Sequence, residues 1–227
     1  GGERRVVLRA ARVSQPLHRF RAVVFDMDGL LLETEVLWQR AEARLFERHG
    51  AEFTFEDKLT VMGTSATFTG QFFARRLGVE PGQADALIAE VTELMHEELQ
   101  AQVDARPGAV ELVRRLKGRV PLGLCSNSPR VLVDAAMAGA GFGDAFDALV
   151  SSDDVAHHKP APDLYLLVCE RLGVAPAEAL ALEDTASGIA SAKAAGLTCI
   201  AVPQFAETDV SAADRVIDSL EELLVEA

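Results

Sequence analysis

Two carboxylates, Asp26 and Asp28, stand one residue apart where the apolar run of AVVFDMDG ends, and Gly29 follows them. Three other stretches carry residues of matching chemistry: Ser126 and Asn127 after VPLGLC, Glu183 and Asp184 after ALAL, and Lys159 in HHKPAPDLY. Gathered in one cleft, four carboxylates repel one another unless a cation stands among them, because a nearby like charge disfavours the ionised form. Such oxygen-rich acidic sites suit magnesium, which takes few protein ligands and keeps several waters. A carboxylate screened in this way can attack phosphorus, since aspartate is a covalent phosphoryl acceptor. Ser126 and Asn127, with backbone N–H groups at the next helix start, can hold phosphate oxygens, and Lys159 can offset charge that builds up during transfer.

These residues need a scaffold that brings them to one place. The short apolar runs AVVFDM, VPLGLCS, FDALVSS, ALALED and TCIAVP alternate with amphipathic segments, the pattern of a doubly wound, Rossmann-like parallel α/β sheet. In that architecture ligands bind at the carboxyl ends of the strands. Between the first two runs the apolar residues of VLWQRAEARLFERHG and ADALIAEVTELMHEEL recur at helical spacing, which predicts an inserted α-helical cap subdomain over 36–103. The core is then 21–35 joined with 104–227. The chain enters the insert through LLETE and leaves it through DARPGAVELVRRLKG, whose Pro-Gly pair predicts a turn; two close crossings make a hinge.

The chain has 227 residues, 49% hydrophobic and 25% charged, enough to bury a substantial core. A formal charge of -13 argues against nucleic acid, and no run of about 20 apolar residues could span a bilayer. Cys125, Cys169 and Cys199 are odd in number and stand apart, so neither a disulfide framework nor a zinc cluster is expected; a cytoplasmic monomer acting on a small molecule fits. Residues 1–20 read as a flexible basic leader, Arg-rich like a transit peptide but with one serine.

Each candidate has a plainer reading. Asp26 or Asp28 alone would pass for a helix N-cap, and so would Ser126 before a helix starting near Pro129. Pairing of the two aspartates, with Gly29 permitting close backbone approach to a ligand, weighs against the cap. Lys159 alone would be a surface lysine, and Glu183-Asp184 a polar turn, were they not set beside ALAL and KPAP. His157 and His158 lack a partner at metal-ligand spacing, and His18, His49 and His96 read as surface residues. Cys125 reads as a small buried residue with no base to activate it, Arg75-Arg76 as a solvated helix face, and GIASAKAAG as a helix packed tightly through its small residues.

In their order along the chain, DMDGLLLETE, LCSNS, HKPAPDLY and LEDTASGIASAKAAG resemble the haloacid dehalogenase superfamily, in its branch of sugar-phosphate phosphatases and beta-phosphoglucomutase-like enzymes. The resemblance implies Asp26 as nucleophile, Asp28 as general acid and base, and Ser126 and Lys159 as phosphate ligands. It implies magnesium held by Asp26, the backbone carbonyl of Asp28, and Asp184, with Glu183 nearby, and a cap that closes over small substrates. Glu33 stands where many relatives carry aspartate before the hinge residue Thr34. Ala66 stands where mutase relatives carry arginine, and Trp38 replaces the mutase hinge histidine, as in phosphatases of hexose or hexitol phosphates. An indole can stack on a sugar face, though a Trp at helical spacing is often core. Three functions remain open: a magnesium-dependent phosphatase working through an aspartyl-phosphate, a phosphomutase of the same chemistry, and a non-enzymatic phosphate or metal sensor.

Overall fold

Ala22–Phe25 form β1, a strand with no polar side chain and every residue buried, as a strand covered on both faces must be. The computed structural model describes residues 16–61 and 64–227. With β2 (Leu122–Cys125), β3 (Ala148–Val150), β4 (Ala179–Glu183), β5 (Thr198–Ala201) and β6 (Arg215–Val216), β1 makes a parallel sheet in the order β3-β2-β1-β4-β5-β6. The first five strands match the five apolar runs; the two-residue β6 at the edge gave no apolar signal.

Alternate strand residues point to opposite faces, and the two faces differ in size. Val23, Phe25, Leu124, Leu180 and Leu182 meet α5 (Ala109–Leu116) and α6 (Arg130–Gly139) on the side that also joins the insert. Ala22, Val24, Ala179 and Ala181 meet α7 (Asp163–Leu172) and α8 (Ala186–Ala195) on the other. The small side chains let these helices come close. A Cβ on Gly123 would lie 2.7 Å from Val168 Cγ2, and one on Gly188 would lie 1.9 Å from Glu183 Oε2, so the small-residue reading of GIASAKAAG describes real contact.

Between β1 and β2 the chain runs through α1 (Glu35–Arg48), α2 (Phe55–Val61), α3 (Ala66–Leu77) and α4 (Ala84–Ala101). Leu37, Ala41, Leu45 and Phe46 of α1 are buried in one cluster with Leu87, Val91, Leu94 and Met95 of α4, the residues that set the helical spacing. Phe46, Phe53 and Phe73 meet edge to face, with centroids 5.0 to 6.1 Å apart. Arg75 and Arg76 lie on an exposed helix face, as expected, and Arg76 in addition reaches a partner: its Nε and Nη2 donate to the two oxygens of buried Asp57 at 2.6 and 2.8 Å, and this bond holds the Asp57 carboxyl down at about 2. A guanidinium fork matches a carboxylate, which helical spacing alone does not reveal.

The two crossings run side by side. Glu33 N–H donates to Asp104 O at 2.9 Å and Arg106 N–H to Leu31 O at 2.8 Å. Glu33 uses its extra length to reach both Arg106 and, at 2.7 Å, Gln204 Nε2 of the loop after β5. Of the basic leader expected over 1–20, residues 1–15 lie outside those described; Leu17–Arg19 form one 3-10 turn in which Leu17 is buried and bonded to Glu226 O.

Candidate active site

β1 pairs with β2 on one side and β4 on the other, so the winding direction reverses at this strand and a crevice opens past its carboxyl end. Register does the gathering. Phe25 lies level with Leu124 and Leu182, so the next residue, Asp26, emerges beside Cys125 and Glu183. The chain then turns sharply: Leu31 and Leu32 N–H return to Met27 O, and Gly29 has φ of 79°. A side chain there would be strained, and its Cβ would lie 2.3 Å from Asp184 Oδ2, so glycine is needed on both counts.

Lys159 is the hub. Buried between the sheet end and α7, its ammonium donates to Asp26 Oδ1 at 2.6 Å, to Glu183 Oε1 at 2.6 Å and to Cys125 O at 3.0 Å. Asn127 does not point at the ammonium. Its Oδ1 accepts the Lys159 backbone N–H at 2.9 Å and its Nδ2 donates to Lys159 O at 3.3 Å, which clamps the lysine's main chain to the β2 loop. Ser126 donates its hydroxyl to Asp28 Oδ2 at 3.1 Å instead of capping α6. Ser128 donates to the same oxygen at 2.9 Å, while its backbone N–H donates to Ser126 Oγ at 3.0 Å.

Oxygens of Asp26, Glu183 and Asp184 lie within 4.8 Å of one another, the one acid, His or Cys group so compact among the described residues. Glu183 is fully buried and well supplied with donors: Lys159 and Tyr165 on Oε1, and Asp184 N–H and Thr185 Oγ1 on Oε2. Asp184 is the opposite. Its Oδ1 is buried and has no hydrogen-bond partner, and neither has Asp28 Oδ1. Burial raises the Asp26 carboxyl well above the usual carboxylate range, with Lys159 opposing and Glu183 and Asp28 adding to the rise. Burial followed by the charges of Asp26 and Glu183 does the same to Asp184. Burial works to lower Lys159, yet Asp26 and Glu183 outweigh it and the ammonium is held. One cation faces several acids, and a further positive charge would settle the remainder.

Thr34 is buried at the start of α1, and Trp38, one turn on, is half-buried against the apolar cluster. Among the described residues no hydrogen bond joins either side chain to the carboxylates. Burial pushes the Cys125 thiol up to about 12, so it stays protonated, as expected for a packing residue. His157 pairs with Asp163 and His158 with Ser152 O, away from the acids, while His18 and His49 are exposed and His96 half-buried. Sequence reasoning missed Ser128 and Tyr165. Ser128 stands two residues after Ser126 in a loop where both could turn one way, and Tyr165 is a phenol within an apolar helix face, which needs a polar partner when buried.

Comparison with known proteins agrees with this geometry. The family model described as haloacid dehalogenase-like hydrolase matches residues 20–196. Fructose-1-phosphate phosphatase YqaB of Escherichia coli is 33% identical over 188 residues, covering 81% of this chain and 97% of that protein. Validoxylamine A 7'-phosphate phosphatase of Streptomyces hygroscopicus is 32% identical over 208 residues, covering 90% and 96% respectively. The crystal structure of CbbY from Rhodobacter sphaeroides in complex with phosphate superposes with a TM-score of 0.80 at 30% identity, covering 90% of this chain and 96% of that one. With an acid-ended parallel sheet, a lysine hub and these relatives in agreement, the chain belongs to the haloacid dehalogenase-like hydrolases and groups with their phosphatases.

Proposed function

We propose that this protein is a magnesium-dependent phosphatase that hydrolyses a small phosphorylated metabolite, a sugar phosphate, through an aspartyl-phosphate on Asp26. The observation that supports it most is the surroundings of Asp26: a buried carboxylate 2.6 Å from the Lys159 ammonium, beside an Asp184 oxygen that has no partner. That donor set fits a hard divalent cation. Asp26, Asp184 and the backbone carbonyl of Asp28 would hold magnesium, which when bound offsets charge between the anionic nucleophile and the phosphoryl group. Glu183, the further acid of the expected set, has donors on both oxygens, and its charge serves Lys159.

The residues then divide the work. Asp26 attacks phosphorus as the ester P–O bond breaks, and the leaving oxygen keeps the electron pair and takes a proton from Asp28 Oδ1. Ser126 and Ser128 both donate to Asp28 Oδ2, which leaves Oδ1 for that proton. Water next attacks the aspartyl-phosphate, giving a proton to Asp28 as the bond to Asp26 breaks and phosphate departs. Lys159 balances the charge on the phosphoryl oxygens in both steps. The two phosphatase relatives act, by name, on phosphorylated fructose and on a phosphorylated validoxylamine, which supports a polyol or sugar phosphate here, with Thr34 and Trp38 at the insert's base as the sugar-side candidates. Cys125, Cys169 and Cys199 are buried and free, which supports a reducing cytoplasm; no helix among the described residues is long and apolar enough to cross a membrane.

The mutase reading needs a cation to grip a second phosphate, and three basic residues that could serve, Lys58 and Arg75 of the insert and Arg130 of α6, each have a partner. Lys58 lies 2.7 Å from Glu35 and 2.9 Å from Glu42, and Arg130 pairs with Asp154 at 3.1 Å. Arg75 stacks over Phe72, and Ala66 opens α3. The deciding experiment incubates enzyme, magnesium and beta-glucose 1-phosphate with a trace of the 1,6-bisphosphate, alongside a screen of sugar and polyol phosphates. Phosphate release should dominate; isomerisation outrunning hydrolysis would replace the phosphatase reading with the mutase.

A further inference from the structure

Tyr165 is the chain's one tyrosine, fully buried on α7, and its hydroxyl donates to Glu183 Oε1 at 2.6 Å. The same oxygen accepts Lys159 Nζ at 2.6 Å, and the ammonium also lies 5.1 Å from the centre of the tyrosine ring. A carboxylate oxygen has two lone-pair sites, and Lys159 and Tyr165 fill both on Oε1. Lys159 has three N–H groups, and its partners are three: Asp26 Oδ1, Glu183 Oε1 and Cys125 O. Burial and the neighbouring acids hold the phenol protonated, so it acts as a fixed donor and takes no proton.

We propose that Tyr165 is a positioning residue for Lys159: by filling one site on Glu183 Oε1, its hydroxyl keeps the ammonium shared with Asp26, where charge gathers on the transferring phosphoryl group. The proposal rests on the roles given above to Asp26 and Lys159. With the hydroxyl gone, the vacant lone pair would have no water to meet it in a fully buried site, because Glu183 is 0% exposed. The nearest donor is Lys159, which would turn a second N–H to Glu183 and draw away from Asp26. Ground-state phosphate binding would change little, whereas stabilisation of the transition state would fall.

Tyr165→Phe, Glu183→Gln and the double variant test this in the full chain with magnesium and a sugar phosphate. For Y165F we expect KM and the dissociation constant for inorganic phosphate to stay within about twofold. We expect kcat and the affinity for aluminium fluoride, a mimic of the transferring phosphoryl group, to fall about tenfold, less than the 10² to 10³ that follows loss of a direct donor. The double variant should be no slower than E183Q, because the tyrosine acts through the glutamate. Wild-type kcat in Y165F, or losses that multiply in the double variant, would overturn the proposal. Should Y165F fail to fold, the wild-type protein still decides: with one tyrosine, carbon-13 labelling gives one Cζ resonance, which must shift when magnesium and aluminium fluoride bind, and a resonance that stays in place overturns it. An Asp26→Asn variant that still turns over would overturn the nucleophile and the tyrosine's role together. An inactive D26N beside an unimpaired Y165F would sink the tyrosine proposal alone.

Discussion

Lys159 Nζ lies 2.6 Å from Asp26 Oδ1, although 133 positions separate the two residues. The contact sets what each can do. The lysine keeps its proton because two acids face it, and it opposes the burial that raises the Asp26 carboxyl well above the usual carboxylate range, so the anionic nucleophile calls for a further positive charge beside it.

Asp26→Asn should therefore fold and bind metabolite yet lose turnover by about 10³-fold or more, as loss of a nucleophile does elsewhere. Phosphate release in magnesium, with thermal melting as the control, measures it. Appreciable turnover by the variant rules out an aspartyl-phosphate at this position.

Asp28→Asn should cost about 10² to 10⁴ in kcat on a sugar phosphate, the range for a general acid and base. An aryl phosphate, whose leaving group needs little protonation, should suffer less in the first step. Equal losses on both substrates would remove the acid role from Asp28.

Magnesium should stabilise the protein through Asp184, whose buried Oδ1 has no partner of its own. At 100 times its dissociation constant a ligand adds about 2.7 kcal/mol, or roughly 5 to 10 °C in Tm for a chain of this size. Asp184→Asn should lose most of that rise. Melting with and without the ion reads it, and an undiminished rise in the variant would place the cation elsewhere.

Glu42 gives stability a pH dependence of its own. It is buried against Lys58, and burial raises its carboxyl to about 7, with Lys58 opposing. Its folded value lies above its unfolded one, so this group's contribution is full below about 4.5 and is lost as pH rises to about 7. The whole effect is of order 3 kcal/mol. Glu42→Gln should accordingly gain on the wild type between pH 4.5 and 8, and a Tm difference that stays flat across that window would refute it.

Asp26, Asp28, Ser126, Glu183 and Asp184 were legible as a set because each stands at the end of an apolar run, and Lys159 joined them from the loop just before α7; in a parallel sheet such positions share one end. The helical insert was legible for a similar reason: Leu37, Ala41, Leu45 and Phe46 recur at the spacing that puts them on one buried face. These are local properties, written in periods of two and 3.6 residues. The sheet order, the pairing of Arg76 with Asp57 and that of Lys58 with Glu42 are not local, and neither is the convergence of Ser126 and Ser128 on Asp28 Oδ2. Nor could Tyr165 be matched to Glu183 from sequence, because a donor's type says that it needs a partner when buried but not which one. Sequence alone determined which side chains would crowd the sheet's end. Tertiary structure decided who bonds to whom there, because that choice depends on strand register and helix approach: Gly29, Gly123 and Gly188 let backbones come within reach, and the acids then compete for one buried ammonium.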